Sequence, residues 1–102
     1  MGNLMKQAQK MQADMARVQD ELKEERVEAS VGGGAVKVVM SGDMRVVSVT
    51  IDPSAVDPDD IAMLQDLAAA AFNEALRMAQ ELASQKMSAV TGGLGGALPG
   101  MM

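Results

Sequence analysis

Three cations near the start of the chain share one side of a helix. Lys6, Lys10 and Arg17 fall within about 40° of one another at 100° per residue. A row of such side chains suits one chemistry: charge-assisted contact with anionic oxygens, phosphates above all, without regard to sequence. Asn3 and Gln7 lie beside them, and their amides can add hydrogen bonds to phosphates or base edges. The plainer alternative is the solvated outer face of an amphipathic helix, and such faces are common.

No other constellation in the chain points to chemistry. Cys, His, Trp and Tyr are absent and Phe72 is the one aromatic residue, which removes zinc fingers, thiol chemistry and imidazole acid–base work. Ser, Thr, Lys and carboxylates remain, but none is spaced with a base and an orienting partner, so no enzyme is expected. Asp57, Asp59 and Asp60 lack the loop length and further ligands of a calcium site, and helix capping accounts for them, so neither metal nor cofactor is expected. Gly32-Gly33-Gly34 leads into a strand, so no helix N-terminus is available there to hold phosphate. Arg77 and Lys86 could extend a basic surface, but pairing with Glu74, Glu81 and neighbours on their own helix is the favoured reading. Lys37 and Arg45 sit on or beside a hairpin that has no aromatic platform for stacked bases.

The elements that must position these residues follow from apolar spacing. From Asn3 to Arg26, Leu4, Ala8, Met11, Met15, Val18 and Leu22 recur in steps of 4 and 3, a coiled-coil seam within an arc of roughly 80°. So narrow a stripe requires one long partner helix, from this chain or a second copy. Residues 1–19 carry three cations against Asp14, whereas residues 20–28 carry five carboxylates against Lys23 and Arg26. One end of this rod attracts an anion and the other repels it.

The period then changes to two. Val27, Ala29 and Val31 alternate with Glu28 and Ser30, and β-branched runs follow at 35–40 and 45–51. Ser41-Gly42-Asp43-Met44 places Gly42 where a type II′ turn needs it, pairing Val38 with Val47 and Val36 with Val49. Pro53 ends the sheet. A second helix is predicted from an Asp57 N-cap and Pro58 to about Val90, with an apolar stripe wide enough to cover a sheet. The chain thus reads as one α+β domain over residues 1–91, α-β-β-β-α with a three-stranded antiparallel sheet and two long helices. A disordered Gly-rich tail is expected over residues 92–102. No segment reads as a signal peptide or membrane span, so a soluble cytoplasmic protein is expected. The net charge of −5 favours solubility and says little about a local patch.

The opening GNLMKQAQKMQ, the hairpin VKVVMSGDMRVVSVTIDPS and the run MLQDLAAAAFNEAL together resemble the YbaB/EbfC family of bacterial nucleoid-associated proteins, over nearly the whole chain and in the same order. The resemblance implies a homodimer formed through the sheet, with helices extending like tweezers. It also implies low-specificity binding of duplex DNA in the nucleoid, with effects on DNA organisation, transcription or repair. Carried to this chain, the contacts fall on helix 1, at Lys6, Lys10 and Arg17 with Asn3 and Gln7 beside them. It tips the basic face from solvated surface to binding site. The other class of function is a coiled-coil module whose partner is a protein, a replication or recombination factor being the natural kind.

Overall fold

Where apolar spacing of 3 and 4 gives way to alternation, helix gives way to strand. The computed structural model describes residues 2–97. Its elements run α1 (Gly2–Glu24), β1 (Arg26–Val31), β2 (Val36–Ser41), β3 (Val46–Ile51), one 3-10 turn (Pro53–Ala55) and α2 (Ile61–Ala97). The three strands form one antiparallel sheet in the order β1-β2-β3.

The core sits between the sheet and α2. Val36, Val38 and Met40 of the central strand point inward, joined by Ala29 of β1. Facing them is a row of alanines, Ala71, Ala75 and Ala79, one turn apart on α2. Residues this small let the helix backbone come close to the sheet, and Leu64, Leu67, Phe72 and Met78 fill in around them. Val36 and Val38 are the largest wholly buried side chains, so the core is thin.

α2 runs antiparallel to the α1–β1 segment. Gly32 lies against Leu67, Val27 shares a surface groove with Met78 and Leu82, and Glu21 and Glu25 reach Lys86. The later part of α2 is therefore the long partner that the α1 seam requires. The seam is only partly used: Val18 and Leu22 are buried and Met11 and Met15 half-buried, while Ala8 is exposed and Leu4 is 67% exposed.

Three local expectations are corrected. The hairpin is offset by two residues, with Val38 opposite Val49 and Val36 opposite Ile51. One residue of offset comes from the turn. Met44, at φ 69, takes the left-handed conformation after a turn closed by Met44 N–H to Ser41 C=O at 2.9 Å, so Ser41 bonds Arg45 instead of Met44. The other comes from a bulge, since Met40 pairs Val46 but Val39 pairs Ser48. Two such shifts preserve side-chain parity, so the predicted apolar face survives.

The cap of α2 is Asp60, not Asp57. Asp60 Oδ1 accepts from Met63 N–H at 3.2 Å, while the Asp57 carboxylate accepts from Asp59 N–H within the preceding turn. The backbone of α2 also continues past Val90 to Ala97, into the stretch expected to be disordered. The remainder of that tail, residues 98–102, lies outside the described residues.

Candidate nucleic-acid interface

The α1 seam is buried only from Met11 to Leu22, and residues 2–10 are exposed on every side of the helix. All of Lys6, Lys10, Arg17, Asn3 and Gln7 are exposed. The three cations differ in their surroundings. Lys6 and Lys10 form no ion pair among the described residues. Arg17 lies 3.4 Å from Asp14 and 3.5 Å from Glu21. Its side chain is 61% exposed, so these pairs are immersed in water, contribute little and exchange readily. The side chains of Asn3 and Gln7 make no hydrogen bond among the described residues. The row is thus freest at the N-terminal end and partly neutralised toward the acidic end.

The cations of α2 are engaged. Arg77 donates to Glu74 at 2.6 and 3.1 Å and to Glu81 at 2.8 Å, as same-helix spacing predicts. These hydrogen bonds raise the Arg77 pKa further, and Arg77's hydrogen bond lowers that of Glu74. Lys86 corrects the same-helix reading, because its partners come from α1 and the residue after it: Glu21 at 3.4 Å and Glu25 at 3.0 Å. Its pKa is raised, chiefly by the hydrogen bond to Glu25. Lys86 thereby ties the acidic end of α1 to α2.

The acidic residues around the second helix are spent locally. Asp52 caps the 3-10 turn through Ser54, whose backbone N–H, and then hydroxyl, hold its pKa below the usual carboxylate value. Asp57 and Asp60 make the turn and the cap described above.

One surface was not anticipated from the sequence. α2 covers β1 and β2 but leaves β3 bare, and all six of its residues are exposed. Val46, Val49 and Ile51 are 50%, 42% and 41% exposed. The strand VVSVTI has no charge and no proline, the usual protections of a free edge. The signal lay in the core: a row of alanines that draws α2 onto the central strand leaves the far edge uncovered.

Residues 1–94 match the YbaB/EbfC DNA-binding family. The chain is 58% identical over 101 residues to a nucleoid-associated protein of Ruminiclostridium cellulolyticum, covering 99% of this chain and 87% of that protein. It is 62% identical over 99 residues to one of Acetivibrio thermocellus, covering 97% and 87%. Its fold is similar to the crystal structure of an uncharacterized protein from Helicobacter pylori, with a TM-score of 0.74 at 21% identity, over 83% of this chain and 89% of the other.

Proposed function

The chain belongs to the YbaB/EbfC DNA-binding family, and from that premise we propose that it binds duplex DNA with low sequence specificity through the N-terminal half of α1. The carrying observation is the outward pair Lys6 and Lys10, one turn apart and free of carboxylate partners among the described residues, with Arg17 following and Asn3 and Gln7 alongside. Contacts from lysine and arginine to phosphates give affinity with little sequence preference. The acidic end of α1 limits how far the backbone can follow the helix. The protein acts as a homodimer joined at the sheet, organises DNA locally in the nucleoid, and through that influences transcription or repair. No described helix is long and apolar enough to cross a membrane.

Four lysines per dimer, without ion-pair partners among the described residues, make the first contribution to the salt dependence. Log affinity should fall with log salt, these four contributing about −3.6 to the slope at roughly 0.9 per neutralised phosphate. Fluorescence anisotropy on a random duplex, at low and physiological salt, measures this. The Lys6→Glu/Lys10→Glu variant should lose binding, and unchanged affinity would sink the site assignment.

A second reading rests on the exposed start of the α1 seam at Leu4 and Ala8, with Met5 beside it: a protein partner, such as a replication or recombination factor, laying a helix along it. Absence of duplex binding at low salt, with partners retained on the protein after nuclease treatment, would favour that reading.

A further inference from the structure

The cations at the other end of α1 are gathered by the fold. Lys23 and Arg26 flank the α1–β1 junction, and Arg45 stands just before β3. Arg45 is distant from the other two in sequence, yet all three line one shallow groove of about 270 Å3, with Ser41, Asp43, Val46 and Val47. Three cations face one carboxylate there, in a chain whose net charge is −5. That carboxylate is partly occupied, because the Ser41 hydroxyl donates to Asp43. Arg26 is anchored through its own guanidinium, which donates to Lys23 C=O at 2.7 Å and Glu25 C=O at 3.0 Å, at the negative end of α1. Among the described residues the Lys23 ammonium has one ion-pair contact, a long one to Asp20 at 3.5 Å. The guanidinium of Arg45 has no partner among the described residues.

The groove is also held rigid. Gly42 N–H donates to Glu25 C=O at 3.0 Å, stitching the β2–β3 turn to the α1–β1 junction. A Cβ on Gly42 would lie 2.8 Å from both the Cδ2 and the carbonyl oxygen of Leu22, so only glycine lets the turn approach this closely. The backbone that carries Arg45 is thus fixed beside the α1–β1 junction, so that side chains alone need ordering on binding.

We propose that Lys23, Arg26 and Arg45 form a second phosphate site, taking a phosphodiester oxygen of the same duplex that Lys6 and Lys10 contact. This rests on the DNA-binding reading above. Lys23 lies about 20 Å along α1 from Lys10, a span over which a duplex presents about a dozen phosphate charges. Between Lys10 and Lys23, α1 carries Asp14, Asp20 and Glu21 against Arg17 alone, which makes the two sites separate footholds on one backbone, not a continuous track.

Two measurements on the full chain test this. Inorganic pyrophosphate, titrated while the side-chain Nε–Hε signals of Arg26 and Arg45 are followed by NMR, should give saturable shifts of both, and the Arg26 shift should disappear in Arg45→Gln. No shift would overturn the site. On duplex DNA, Arg45→Gln should weaken binding several-fold at low salt and make the salt slope shallower by about 0.9 for each phosphate left without its cation. Wild-type affinity in Arg45→Gln would overturn the second site and leave the Lys6/Lys10 reading standing. Pyrophosphate shifts with no duplex binding by the wild type would overturn the DNA reading and, with it, the backbone assignment. The Arg45 guanidinium holds nothing in place among the described residues, so Arg45→Gln should melt with the wild type. Lys23→Gln should change both measurements in the same direction.

Discussion

Residues of the same formal charge differ here in what they can offer a ligand. Lys6 and Lys10 are exposed, with no ion-pair partner among the described residues to displace. Arg17 must first leave Asp14 and Glu21, whose contacts at 3.4 and 3.5 Å are weak but not nil. Arg77 and Lys86 are held by two carboxylates each. The contribution to duplex binding should follow this order. Lys6→Gln and Lys10→Gln should each cost up to ~1 kcal/mol, about fivefold in Kd at low salt. Arg17→Gln should cost less, and Arg77→Gln should change affinity little. Anisotropy titrations of the single variants check the ranking, and an Arg77 effect equal to that of Lys6 would contradict it.

Elements are fixed to one another at a few close approaches. The alanine row of α2 sets the helix against β2, and Gly42 sets the β2–β3 turn against the end of α1. Gly42 does not take positive φ; Met44 does. The glycine is therefore required by proximity, not by turn type. Gly42→Ala pushes a methyl into the Leu22 carbonyl and should destabilise the fold by about 1–3 kcal/mol. Urea denaturation measures the loss. Gly33→Ala is the companion control: its Cβ meets nothing within 4 Å, so its cost comes from φ 67 alone.

The whole molecule is long for its size. Its radius of gyration is 19.2 Å and its extents are 68 × 28 × 16 Å, against about 13 Å for the radius of a compact chain of this length. α1 and the later part of α2 run past the sheet and its thin core, and one sheet edge is bare and apolar. A second copy pairing β3 against β3 would cover that edge on both chains at once, as an isologous interface does. Val49→Lys should therefore convert a dimer to a monomer in sedimentation or light scattering, and should weaken duplex binding by leaving each particle with half of the basic surface. A wild-type chain that sediments as a monomer would remove the dimer from the proposal.

Much of this was legible in the sequence because the two apolar periods differ so plainly. The 3-4 seam of α1, the alternation of 27–31 and the β-branched runs fix the element order and the inward face of each element. The basic row on α1 was equally legible, because positions on one helix are related by a constant angle. What the sequence could not decide was whatever depends on atoms distant along the chain. The hairpin register turned on Met44 adopting a left-handed conformation and on a bulge at Val46–Val47, and neither has a residue signature as strong as glycine's. The partner of Lys86, the bare β3 edge and the meeting of Arg45 with Lys23 and Arg26 arise from how α2 and the turn dock. Local spacing determines helix, strand and face. Same-helix spacing also foretold the Arg77 pairs, but only the tertiary structure determines which charges meet across elements, as Lys86 meets Glu21 and Glu25, since Coulomb interactions follow distance in space and not in sequence.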